Sequence, residues 1–317
     1  MLILASAAMA CVGILAALGV AEVVLRVRHF QFQAIPRVQF GWPQPDVIQN
    51  ELQPDPDVFW VTRDYQLKLA RARSEHARVV FMGDSCVEFS SYPLRTLERL
   101  GRLDPTLKIG EKLGVPGWSS EQGRVQIVRD VLPLRPRVIT IQFGWNDHWD
   151  ALGPPDEQTH YGRFSLWASE HLRVYQAYRQ AVVGLGSRLH ADGSRRVSLD
   201  RYRQNLRVMA EAGQRIGARV VFITAPTDHE AGSEPSYLTA RHLKDLSSLV
   251  PLHESYAQAT RDVAASSSAW LCDAASTIAG LGRVKRRYFR RDGIHFTEAG
   301  NVYMGDLVAG CIEAALR

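Results

Sequence analysis

The sequence contains no CxxC pair, and its four cysteines, Cys11, Cys86, Cys272 and Cys311, are scattered. That spacing implies neither a zinc site nor a disulfide framework, and the thiols read as small buried apolar side chains. Its ten histidines include no HExxH pattern, so neither a metal nor any other cofactor is expected. P-loop, zinc-finger and RNA-binding signatures are missing too. With 38 basic and 33 acidic residues the net charge is only +5, too mild a balance to argue for nucleic acid. Low-complexity tracts and internal repeats are also lacking, so the chain is not a disordered one. What it does have is 317 residues, 46% of them hydrophobic and 22% charged, enough apolar material for one sizeable core.

Charge is absent from Met1 to Ala21, a run that meets the length an α-helix needs to cross a hydrocarbon core. Arg26 and Arg28 follow, where they can snorkel to a headgroup layer. A cleaved signal peptide would carry a basic n-region, and a lipoprotein signal would end its apolar run at the modified cysteine; neither pattern is present. Residues 1–27 therefore read as a single membrane anchor. The basic residues after the helix would keep the domain cytoplasmic by the positive-inside rule, but long domains translocate regardless of flanking charge. The expectation is an extracytoplasmic domain in the cell envelope, with the side of the membrane open.

Residues 28–77 are rich in Pro, Gln and aromatics and read as a juxtamembrane stalk or packing arm. From residue 78 to 317 short β-branched runs alternate with helical stretches, the pattern of βα units around a parallel sheet. Strands are expected at Arg78–Met82, Val138–Phe143, Arg219–Thr224 and Ala269–Cys272. In Leu199–Ile216, apolar residues recur at three- and four-residue steps, which predicts a helix stopped by Gly217. A last helix is expected over Thr297–Leu316. The fold class is α/β, a three-layer α/β/α domain behind one transmembrane helix.

Open α/β sheets bind ligands at the carboxyl ends of their strands, so the polar clusters just past each apolar run carry the information. Such runs end at Ser85, Asp147 and His229; Gly83-Asp84-Ser85 follows the first strand, Gly114-Val115-Pro116-Gly117 the second and Gly144-Trp145-Asn146-Asp147 the third, while Asp292-Gly293-Ile294-His295 precedes the last helix. Gly-Asp-Ser alone is an ordinary turn, and without a second glycine it is not a GxSxG elbow. Together, and in this order, the four blocks closely resemble those of the SGNH, or GDSL-like, hydrolase family. Lys112, where the family often has Asn, and Cys86, where a larger apolar residue is common, depart from its pattern.

The resemblance implies a flavodoxin-like parallel sheet. It also implies Ser85 as nucleophile, His295 as general base and Asp292 as the orienting carboxylate. The backbone N–H groups of Ser85 and Gly117, with the Asn146 side-chain amide, become the oxyanion hole. Asp147 and His148, between Trp145 and Trp149, read as a helix cap with surface aromatics. Asp228 and His229 read as exposed loop residues, and the six basic residues of Arg283–Arg291 as a solvated loop or a site for an anionic substrate. The expected function is a serine esterase or deacylase acting on an acetylated carbohydrate or a lipid ester. A membrane-associated glycan O-acetyltransferase and a non-catalytic envelope scaffold or glycan-binding protein are the alternatives.

Overall fold

In this computed structural model the described residues are 2–32, 51–151, 155–158, 162–189, 194–240 and 243–317. The Pro- and Gln-rich part of the expected stalk, residues 33–50, and Gly153-Pro154 lie outside them. The chain opens with helix α1 (Leu2–Val27), whose stretch Met9–Val27 has a mean hydropathy of 2.1 and no buried residues. It is long and apolar enough to be a membrane anchor or a signal sequence.

Residues Leu52 to Ala77 form regular elements. Strands β1 (Leu52–Asp55) and β2 (Phe59–Thr62) pair as an antiparallel hairpin, followed by helix α2 (Tyr65–Ser74). Trp60 of this hairpin is fully buried.

Five parallel strands make the central sheet: β3 (Val79–Gly83), β4 (Gly110–Gly114), β5 (Val138–Gln142), β6 (Arg219–Ile223) and β7 (Trp270–Cys272). Their order across the sheet is β4-β3-β5-β6-β7. Counted within the sheet this is 2-1-3-4-5, the flavodoxin-like order, in which the chain switches direction between β3 and β5. Side chains alternate between faces, as a pleat requires. Val80, Met82, Ile139, Ile141 and Phe222 enter one core with helices α8 (Leu199–Arg215) and α9 (Leu249–Ser266). Val79, Phe81, Val138, Val221 and Ile223 enter the other with helices α4 (Tyr92–Leu103) and α11 (Glu298–Leu316). Both faces are thereby covered, which is why β3, β5 and β6 read as continuous apolar runs.

Two short helices begin at strand ends, α3 (Ser85–Glu88) and α5 (Ser120–Gln126). Between β5 and α8 rises an insertion carrying α6 (Arg163–His171) and α7 (Arg173–Leu189); a further short helix, α10 (Ala274–Ala279), follows β7. One expectation from the cysteines is overturned: Cys272 at the end of β7 is disulfide-bonded to Cys311 of α11, across 39 residues of sequence. Two cysteines so far apart carry no spacing signal, and only the packing of α11 on the sheet brings them together.

Candidate active site

The end of β3 is shaped by a lack of space. A Cβ on Gly83 would lie 2.4 Å from Val87 Cγ2 and 2.6 Å from the Gln142 carbonyl oxygen, so only glycine lets the chain turn between β5 and α3. Asp84 then caps α3, its Oδ1 accepting from the Cys86 N–H at 2.8 Å. Ser85, the first residue of that helix, projects at the carboxyl edge of the sheet and is buried to 6% exposure.

Its hydroxyl is 2.9 Å from His295 Nε2, and His295 Nδ1 is 2.8 Å from Asp292 Oδ2. Asp292 Oδ1 also accepts from the Ile294 and His295 N–H groups, at 2.9 and 2.8 Å. Burial works to raise the Asp292 pKa, but the bonds from the His295 ring and backbone outweigh it and hold the carboxyl down at about 2. The carboxylate thus fixes the imidazole with its proton on Nδ1 and leaves Nε2 to accept from Ser85. Phe89 lies against the imidazole with ring centroids 5.7 Å apart.

Of the other expected residues, Asn146 is brought directly beside this chain: its amide donates to Asp84 Oδ2 at 3.1 Å. Gly117 sits at φ +78° in the turn after β4, and that turn is tied to β3 by the Val115 N–H bonded to the Gly83 carbonyl at 3.1 Å. Neither the Ser85 nor the Gly117 N–H donates to a backbone or side-chain acceptor among the described residues. A hydroxyl with an adjacent base is equipped to attack a carbonyl, and an unengaged backbone N–H on the same residue is the kind of donor that can receive the negative charge that develops.

The support behind these residues was not legible in the sequence. Asp84 is buried, which lifts its carboxyl to about 6 against the Cys86 N–H, His295 and Asn146, all of which lower it. Its two oxygens hold the start of α3 and the Asn146 amide at once. Trp60 Nε1 donates to the Pro116 carbonyl at 2.9 Å, and Trp118 Nε1 to the Trp60 carbonyl at 2.8 Å, bracing the Gly117 turn from the β1–β2 hairpin.

Other readings are corrected. Trp145, His148 and Trp149 are buried, not surface aromatics. Asp147 starts no helix; its carboxyl accepts from the Ser120 N–H at 2.9 Å and the Gly144 N–H at 3.1 Å, tying the turn after β5 to the start of α5, which Ser119 caps, and burial lifts it to about 7. His229 is not an exposed loop residue: it is buried, packs edge-on against Trp145 and bonds through Nε2 to the Asp292 carbonyl oxygen at 2.8 Å. A Cβ on Gly293 would lie 2.6 Å from that nitrogen, so the Asp292 turn and His229 fit only as they stand. In the basic run, Arg283, Arg286, Arg287, Arg290 and Arg291 are exposed, while Lys285 is buried with its Nζ 3.5 Å from the His229 carbonyl. Among the described residues no group of three His, Cys, Asp or Glu side chains is placed to hold a metal ion.

The sequence profile of the GDSL-like lipase/acylhydrolase family matches residues 81–302. No curated protein matches the chain. Among solved structures, a GDSL-like lipase from Parabacteroides merdae is 16% identical with a TM-score of 0.50, over 76% of this chain and 95% of that one. A lipase/acylhydrolase from Enterococcus faecalis is 18% identical with a TM-score of 0.47, covering 75% and 96%. An acetyl xylan esterase from Geobacillus stearothermophilus is 15% identical with a TM-score of 0.46, covering 75% and 93%. At these identities the likeness to the first of them shows the fold alone.

Proposed function

Because the chain belongs to the GDSL-like lipase/acylhydrolase family and is an ester-bond hydrolase, we propose that it works as a serine esterase through an acyl-enzyme at Ser85. The observation that carries this is the hydrogen-bonded series Asp292–His295–Ser85, at 2.8 and 2.9 Å. His295 Nε2 takes the hydroxyl proton as Ser85 Oγ attacks the ester carbonyl. The Asp292 carboxylate stabilises the imidazolium so formed. The tetrahedral oxyanion receives hydrogen bonds from the Ser85 and Gly117 N–H groups and the Asn146 amide. Collapse returns the proton from His295 to the departing alcohol and leaves the acyl group on Ser85. Water, deprotonated by His295, then attacks the acyl carbonyl, and the acid departs with Ser85 restored.

The substrate class we assign is a carboxylic ester of a lipid or of an acetylated carbohydrate. Residues 78–317 form the catalytic unit, with residues 52–77 packed on it as an arm, and residues 1–27 are a retained anchor. The disulfide between Cys272 and Cys311 favours an extracytoplasmic catalytic unit, since such bonds persist in oxidising compartments.

A fluorophosphonate probe tests the reading. Wild type should be labelled and Ser85→Ala should not, with ester hydrolysis lost in step. Equal labelling of the two would overturn it. Acetate release that strictly requires an oligosaccharide acceptor would instead assign an O-acetyltransferase.

A further inference from the structure

Helices α6 and α7 carry an apolar stripe where a surface helix ordinarily turns polar side chains to water. Tyr178, Val182 and Leu185 recur at four- and three-residue steps on one face of α7, and are 58%, 40% and 59% exposed. Phe164 and Trp167 of α6, 70% and 49% exposed, extend the stripe. The rings run on from one another: Trp167 to Phe164 at 6.0 Å, Phe164 to Tyr175 at 6.5 Å and Tyr175 to Tyr178 at 5.9 Å.

This hairpin is fastened to the end of α1. Glu22 Oε2 accepts from the Val174 N–H in the first turn of α7 at 2.8 Å, where the helix dipole favours an anion. Arg26 bonds Glu22 at 2.7 Å and donates to the His171 carbonyl at 2.6 Å. The Phe32 N–H donates to Gln176 Oε1 at 3.1 Å. The one acidic residue of α1 is thus paired at the depth where α6 meets α7. Just beside it, Val20, Val23 and Val27 of α1 are exposed, so the apolar surface of the anchor continues towards the stripe.

We propose that the α6–α7 hairpin lies in the bilayer interface, with Phe164, Trp167, Tyr178, Val182 and Leu185 seated at the level of the headgroups and upper acyl chains. The inference rests on the reading of α1 as a retained anchor. Tyr and Trp are the side chains that favour this layer, and an amphipathic helix lying in it buries one apolar face. A bilayer is the occupant because the stripe adjoins a helix that is itself in lipid, so any partner there must share the membrane plane. The neck of the insertion completes the argument. The Ala151 N–H donates to the Ser194 carbonyl at 2.7 Å, the Arg196 N–H to Trp149 at 2.8 Å and the Val197 N–H to Asp147 at 3.0 Å, which roots the hairpin directly after Asn146. The candidate active site therefore opens from the same loop layer that meets the membrane, and esters presented at the bilayer surface are its substrates.

The test uses the full chain in nanodiscs containing phosphatidylcholine brominated at the upper acyl carbons, a contact quencher of tryptophan. The other six of the seven tryptophans, the partly exposed Trp270 included, are common to wild type and Trp167→Phe, so the difference between the two signals isolates Trp167. Bromolipid should quench that difference signal, and its persistence unquenched would overturn the docking, whether the stripe is then found in water or against a second copy. A triple variant, Phe164→Ser, Tyr178→Ser and Leu185→Ser, should lose at least about tenfold in turnover of a vesicle-embedded ester, since it removes the apolar surface that burial in the interface stabilises. Its turnover of a soluble short-chain ester should stay at the wild-type level. Equal effects on the two esters would overturn the assignment of bilayer substrates. Were wild type to hydrolyse neither ester, the esterase reading would fail, while the quenching result would still decide the docking.

Discussion

Asn146 is the sharpest single residue to probe, because Asp84 Oδ2 holds its amide at 3.1 Å and the proposed mechanism asks that amide to meet an oxyanion. Asn146→Ala should lower kcat by about a hundredfold or more with little change in KM, as expected for a donor used only in the transition state. Steady-state kinetics on a soluble ester reads this directly. Asp84 gives a pH-dependent counterpart. Its folded pKa, about 6, lies above the ordinary carboxylate value, so the native state holds this proton more tightly than the unfolded chain does. The stability it contributes is full below about pH 4, the unfolded value, and is lost as pH rises to about 6. Asp84→Asn should therefore flatten the decline in denaturation midpoint over that interval. It should also slow turnover, because Asn offers one acceptor oxygen where the Cys86 N–H and the Asn146 amide converge. An unaltered decline in midpoint would show that Asp84 is not the group responsible.

At the scale of elements, the last strand is the weak one. β7 has only three residues, and Trp270 and Leu271 are partly exposed, so the strand at this edge of the sheet depends on its bond to α11 through Cys272 and Cys311. Cys311→Ser should cost about 2–4 kcal/mol in urea unfolding, and reductant should bring wild type down to the level of the variant. Which elements were legible in the sequence follows from how each is buried. β3, β5 and β6 announce themselves as apolar runs because helices cover both faces. β4, the sequence GEKLG at the opposite edge, places Glu111 and Lys112 mid-strand, where Arg71 pairs with Glu111, so no apolar run marks it. The β1–β2 hairpin is hidden by its brevity and by Pro54. His229 is a lone histidine in a polar loop until β6 carries it under the Asp292 turn; only tertiary placement distinguishes it from an exposed one.

For the whole molecule, the resemblance carried by the four sequence blocks was enough to imply the flavodoxin-like sheet; three of the blocks follow β3, β4 and β5, the fourth precedes α11, and the neighbouring of β3 and β5 brings Asn146 to Asp84, next to Ser85. The N-terminal helix, a candidate anchor, was legible only as an apolar run; the pairing of Glu22 with α7 needs both ends of a 152-residue separation in place. Sealed membrane vesicles of known sidedness test the assigned orientation. Protease added outside should digest the catalytic unit in right-side-out vesicles and spare it in inverted ones, and the reverse pattern would place the unit in the cytoplasm.

The two indole bonds between Trp60 and the Pro116–Trp118 turn have a consequence for cooperativity. The hairpin that precedes the sheet in sequence cannot peel away while that turn keeps its shape, so local opening of one is local opening of the other. Gly117 belongs to the same unit as Leu52–Thr62, and a disturbance of that hairpin reaches the turn after β4 without passing through the sheet.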